Sequence, residues 1–230
     1  MTATVPSPTV PAQATVAPGA PVAQPTGSRL ARAVQVALPA TVGGLLVAAV
    51  LTDPGAANEG REMVRVYAAN VDLLQWHVLF LHLAYGVWGL VPLALSPLVR
   101  GRGRGLMNAA AALGFLVMVS MPGLMMSDMF TAAVANEHGL DAAMKLYDEM
   151  PSDQWAIKSY LIPGLLGMLL VLPTTFAALA RARRTSWWAV VPALLVLPAF
   201  AAFGAAGVGI VVPAALLVGL SVLVLRGTRG

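Results

Sequence analysis

The chain contains no cysteine. Disulfides, thiolate metal sites, cysteine nucleophiles and iron–sulfur clusters are therefore excluded. Charge is scarce as well: 10% of residues are Asp, Glu, Lys or Arg, against about 25% in a soluble domain. A surface with so few charges cannot face water. With 58% of residues hydrophobic, the solvent for most side chains must be lipid. Acidic residues are missing from residues 1–52, 73–127 and 154–230, so that no carboxylate falls in the middle of an apolar run. That argues against a proton- or sodium-coupled pump, which normally needs one there. No phosphate loop, nucleophile elbow, zinc motif or dinucleotide fingerprint occurs. Gly101, Gly103 and Gly105 lack the flanking strand and helix such a fingerprint requires. No metal site or catalytic group is predicted, and the reading leans away from an enzyme. A pI of about 10 suggests nucleic acid, but the net charge is only +4. The basic residues also sit at the ends of apolar runs, where they orient a membrane protein. Nucleic acid is set aside as a partner.

What is present is a succession of long apolar runs. A span needs roughly 20 apolar residues to cross a hydrocarbon layer about 30 Å thick. Segments 30–51, 73–99, 106–127, 155–180, 187–203 and 208–225 qualify. The last two are shorter, are separated only by residues 204–207, and read as a tight hairpin or a re-entrant pair. The expected fold class is all-α, a polytopic transmembrane bundle of about six spans. Residues 1–28 are rich in Pro, Ala and Thr without charge, and read as a disordered tail. They lack the charged start of a secretory signal, so the first run reads as an uncleaved anchor. The transmembrane domain is placed at 29–226 and a short tail at 227–230.

Orientation follows from the arginines. Arg29 and Arg32 precede the first span. Arg100, Arg102 and Arg104 join the second and third, Arg181, Arg183 and Arg184 join the fourth and fifth, and Arg226 and Arg229 follow the last. Every Asp and Glu lies in the alternate loops, with Arg61, Arg65, Lys145 and Lys158. Basic residues stay cytoplasmic during insertion, so both termini are expected inside and the two acidic loops, 52–72 and 128–154, outside. Each acidic loop is expected to hold a short surface helix. In the second, Leu140, Met144 and Tyr147 share one face, and Pro151 stops it. The run at Arg100–Arg104 reads as a topological anchor, with contact to anionic lipid as the alternative.

The two loops also resemble each other. Ala57-Asn58-Glu59, Val66-Tyr67 and Gln75-Trp76 match Ala135-Asn136-Glu137, Leu146-Tyr147 and Gln154-Trp155. The following spans carry Leu90-Val91-Pro92 and Val171-Leu172-Pro173. Helices 1–2 and 3–4 therefore read as two copies of one hairpin in parallel orientation, followed by a terminal hairpin.

Few residues could carry chemistry. His82 aligns with Gly86 and Gly89 at i, i+4 and i+7, a stripe that lets another helix approach closely. It reads as hydrogen-bonded to that neighbour or, as an ionisable group inside a membrane, as functional. His77 lies nearer the headgroups and reads as interfacial. Met118, Met121 and Met125 share a face of the third span. Thioethers suit Cu(I), and antiparallel packing puts His82 and Met121 at similar depth, so a His/Met haem or copper site is an alternative reading. Methionine is equally a filler of irregular cores, and no cofactor is predicted. Asp128 and Lys158 stand at the outer ends of the third and fourth spans as a structural ion-pair candidate.

Asp53-Pro54 after the first span, the Ala-rich external loop and Trp76-His77 (or His82) opening the second span form one pattern. Pro92, Arg100-Gly101 and the long acidic loop ending at Trp155 continue it. Over residues 30 to 226 this layout resembles small six-helix membrane proteins of high-GC Gram-positive bacteria. The resemblance implies a topology and a bacterial plasma-membrane location, and supplies no activity. Three functional readings follow: a non-enzymatic protein binding a small ligand, lipid or partner externally; a redox protein with haem or copper; and a transporter component or accessory subunit. The expected partners are the lipid bilayer and either other membrane proteins or a second copy of the chain.

Overall fold

The structure, a computed structural model, describes residues 26–149, 155–203 and 207–227. The predicted tail up to residue 25, Pro151, Gln154 and the turn at 204–206 lie outside the described residues. All regular structure among the described residues is helical. It runs as α1 (Thr26–Leu51), α2 (Gly60–Ala69), α3 (Val71–Leu95), α4 (Arg104–His138), α5 (Leu140–Glu149), α6 (Trp155–Arg181), α7 (Val190–Phe203) and α8 (Val211–Gly227). Lipid offers no hydrogen bonds, so a chain this apolar must satisfy its backbone internally, and helices do so within one segment.

Four helices are long and apolar enough to cross a membrane: Arg29–Leu51, Val71–Leu98, Arg104–His138 and Lys158–Arg181. Trp187–Ala202 and Val211–Gly227 are apolar but shorter. The helices close into a ring in the order α1, α3, α4, α6, α7, α8, with α8 returning to α1 and α3 also touching α6. The core between them holds Leu46, Trp88, Leu95, Leu172, Phe176, Leu217 and Leu220, all essentially inaccessible.

Glycine sets the closest crossing. A Cβ on Gly89 would stand 2.5 Å from the Gly114 carbonyl oxygen, and one on Gly114 would run into the Gly89 carbonyl. Here α3 and α4 touch backbone to backbone, as small residues allow in membranes. Proline sets another contact. Pro39 interrupts the α1 ladder, and the Ala40 N–H donates instead to Ser221 Oγ of α8 at 2.9 Å.

α4 differs from the expectation that the third span ends at Ser127. It runs unbroken for 35 residues, roughly 50 Å at 1.5 Å per residue. Its polar outer third stays helical because it has partners. Asn136 donates to the Ala68 carbonyl of α2 at 3.1 Å, and Thr131 donates to Ser127 O. Gly139, at φ 88°, then ends the helix. The short helices expected in both acidic loops are present as α2 and α5, ten residues each. Arg61 of α2 and Asp141 of α5 form an ion pair between them. The matched tyrosines differ: Tyr67 is buried and Tyr147 is exposed. All acidic side chains of the described residues therefore gather at one end of the ring. The arginines of the 100–104 and 181–184 turns and of the α8 terminus gather at the other.

Candidate functional site

At the acidic end, under α2, lies a chamber of about 390 Å³. Its polar lining is Asp53, Asn58, Tyr67, His77, Tyr85 and Asp128, and Phe200 of α7 closes one side. Each polar group arrives for a local reason. α1 stops at Leu51, and Pro54 prevents its continuation. Asp53 Oδ1 accepts the Gly55 N–H at 2.8 Å, a tight turn that holds the carboxylate inward. Gly55 is bare because the Tyr67 ring lies against it, leaving no room for a Cβ. α2 is amphipathic and buries Val64 and Tyr67. His77, Leu81 and Tyr85 sit at i, i+4 and i+8 on α3, one face of a helix.

His77 is the hinge of the arrangement. Its Nδ1–H donates at 2.8 Å to the Ala49 carbonyl, which also accepts from Thr52 at the end of α1. Its Nε2 stands 4.0 Å from Asp53 Oδ2. Asp128, on α4, has His77 and Asp53 as titratable neighbours, and Tyr85 faces it. Two carboxylates, one imidazole and two phenols share the space. Lys158, the predicted partner of Asp128, is exposed at the start of α6 and does not line the chamber. One turn below Tyr85, Trp88 is buried with its Nε1–H unpartnered among the described residues.

The Tyr67 phenol lies outside the long apolar spans. Its burial first, and then the Asp53 and Asp128 carboxylates, push its pKa well above the ordinary value of 10.0. Because the folded-state value is raised, its contribution to stability is intact below that ordinary value and is lost as pH rises beyond it. There the unfolded chain gains a phenolate that the folded chain resists. Tyr67→Phe is expected to remove one phenolate step above pH about 10 from a spectrophotometric alkaline titration. Loss of a step at the ordinary value of about 10 instead would show that the phenol is open to water.

The structure exchanges the expected positions of the two histidines. His77, read as interfacial, is 7% exposed, while His82 is exposed on the outer surface of α3. The stripe His82–Gly86–Gly89 divides accordingly. Gly89 lies in the α3–α4 contact, whereas Gly86 has nothing near its Cβ position. His82 instead lines an open groove with Trp76, Met126 and Met129. Met118 packs on Gly89, and Met121 is buried against Gly164 of α6. The Met125 side chain lies outside the described residues. His82 is therefore not brought together with Met118 or Met121, and those two methionines fill the spaces that glycines leave. Among the described residues no group of three or more His, Asp or Glu side chains is arranged to hold a metal ion. His82→Ala is expected to leave thermal unfolding of the detergent-solubilised protein within about 0.5 kcal/mol of the parent; a larger loss would reveal a packed partner.

The sequence marks Asp53 and Tyr67 only as parts of a layout and a repeat, not as site residues, and does not mark Tyr85. The available signal is the spacing of His77, Leu81, Tyr85 and Trp88, which puts three polar aromatics of the second span on one face. No family model matches this chain, and neither a curated protein nor a solved structure is similar to it.

Proposed function

We propose that this is a multi-pass plasma-membrane protein with six spans and both termini cytoplasmic, whose external chamber binds a small protonated amine. Support for the topology comes from the separation of charge, with arginines at one end of the ring and carboxylates at the other. Resemblance to small six-helix bacterial membrane proteins points the same way. The six-membered ring supports membrane insertion of α7 and α8 despite their length, since each packs between neighbours that span fully. The matched short helices α2 and α5 support the parallel repeat.

One observation carries the ligand assignment. Asp53 and Asp128 converge on a cavity that, among the described residues, is lined by neither Lys nor Arg. A volume of about 390 Å³ suits a small molecule. The two carboxylates favour a cation, and the faces of Tyr67, Tyr85 and Phe200 offer the apolar and cation–π surface that an organic cation uses. The unpartnered Trp88 N–H below Tyr85 leaves one donor for a polar atom reaching deeper.

The test is calorimetric titration of the full chain in detergent with choline, a short primary amine and a short diamine. At least one should bind, and Asp128→Asn should weaken it by about tenfold or more, the equivalent of roughly 1.4 kcal/mol. Absence of binding by all three, or equal binding by the Asn variant, would overturn the assignment.

A further inference from the structure

At the opposite end, three separate turns are drawn together around arginine. Arg100 comes from the α3–α4 turn, Arg183 and Arg184 from the α6–α7 turn, and Arg226 from the end of α8. The four line one cavity of about 390 Å³. Arg100 and Arg183 also border a second, of about 310 Å³, with Arg102 and Arg181. No carboxylate lines either cavity, and no Asp or Glu occurs in the segments that form them. An arginine belt needed only to orient the protein can spread its charges around the rim. These converge instead, solvent-exposed yet bordering shared cavities, where a bound anion would relieve their mutual repulsion.

The backbone is shaped for the convergence. Gly103, at φ 95°, is buried, and a Cβ there would stand 2.5 Å from the Ala178 carbonyl of α6. A Cβ on Gly227 would run into the Arg184 carbonyl. Bare positions thus let the other two segments close on the α6–α7 turn. That turn ends α6 with paired bonds, Arg183 N–H to Ala180 O at 2.9 Å and Arg184 N–H to Leu179 O at 2.8 Å. Such a motif places its left-handed residue where glycine is usual. Here it is Arg183, at φ 58°, the one non-glycine among the described residues with positive φ. A guanidinium is kept in a conformation that favours glycine, the kind of strain that gathers at functional positions. Arg184 Nε donates to the Leu98 carbonyl at 3.1 Å, fixing that side chain across the first two turns. In the same turn, Thr185 has a buried hydroxyl without a hydrogen-bond partner among the described residues.

We infer that this arginine cavity is a binding site for the phosphate of an anionic phospholipid headgroup. Guanidinium groups match phosphate oxygens in fork geometry. Trp187 and Trp188, exposed just beyond the turn, are side chains that lie at headgroup depth, which places the cavity among lipid phosphates. The inference rests on the proposed membrane placement and is independent of the amine chamber. Failure of one ligand leaves the other standing.

The test uses native mass spectrometry of the full chain in detergent, titrated with short-chain phosphatidylglycerol, short-chain phosphatidylcholine or inorganic phosphate. Phosphatidylglycerol should bind about tenfold more tightly than phosphatidylcholine, and inorganic phosphate should compete weakly. Arg183→Gly keeps the turn and relieves its φ. It should therefore raise the unfolding temperature without lipid, yet weaken phosphatidylglycerol binding about fivefold, as for one arginine at a lipid surface. Equal binding of the two lipids, or unaltered phosphatidylglycerol binding by Arg183→Gly, would overturn the inference. Tighter binding of inorganic phosphate than of phosphatidylglycerol would overturn the lipid source.

Discussion

Gly114→Val is expected to destabilise the bundle by about 3 kcal/mol or more, beyond the usual range for overpacking. The reason is what the new side chain meets. At most helix contacts an extra methyl displaces a flexible side chain. At Gly114 it meets the Gly89 carbonyl and Pro92 of α3, and a helix backbone cannot yield locally. The whole α3–α4 crossing must open, which also moves His77 and Asp128 apart at the chamber. Gly86→Ala, one turn from Gly89 on the same helix, is the matched control. Nothing lies within 4 Å of its Cβ position, so removing a helical glycine should be neutral or stabilising by up to about 1 kcal/mol. Reversible unfolding of both variants in detergent checks the pair. Similar behaviour of the two would show that α3 and α4 do not meet at Gly89 and Gly114.

Asp53→Ala should release α2 from the bundle. This carboxylate accepts the Gly55 N–H that sets the turn, faces the Tyr67 phenol and neighbours His77 Nε2. Its removal strands buried donors at about 1–3 kcal/mol each, leaving α2 the Asn136 bond to its Ala68 carbonyl and a small packed face. Its buried side chains are Val64 and Tyr67, and its ion pair to Asp141 is solvent-exposed, worth at most about 1 kcal/mol. The expected result is fast trypsin cleavage at Arg61 and Arg65 with the transmembrane helices intact. Asp53→Asn keeps an oxygen for Gly55 and should resist cleavage, while losing the charge that the amine reading requires. Cleavage of Asp53→Ala no faster than that of the parent would remove Asp53 from its structural role.

The class of the protein, the positions of its apolar helices and the polarity of its two ends were all decided by the sequence. These properties depend on local quantities. Whether about 20 consecutive residues prefer lipid is a sum along the chain, and the arginines stand next to the apolar runs they flank. The two surface helices were legible for the same reason, since α2 and α5 alternate apolar and polar faces within ten residues. The outer end of α4 was not legible. Residues 128–138 mix apolar side chains with Asp128, Thr131, Asn136, Glu137 and His138, and this part of the helix packs on the short helices, with Asn136 bonded to α2.

The rotation of each span about its axis came from tertiary structure alone, and the candidate site depends on it. In water, an apolar stripe shows which face is buried. In lipid, the outer face is as apolar as the core, so α3 reads alike on both sides. Leu83 and Leu90 face outward, while Leu81 and Val91 are buried. Hydropathy therefore could not show that His77, not His82, turns inward. Nor could it show that Asp53, Tyr67 and Asp128, drawn from three elements, would meet that histidine. At the other end, the sequence supplied the arginines, and packing of bare Gly103 and Gly227 against α6 and its turn gathered them. Convergence between distant segments is a property of interhelical contact, which no local sum along the chain contains.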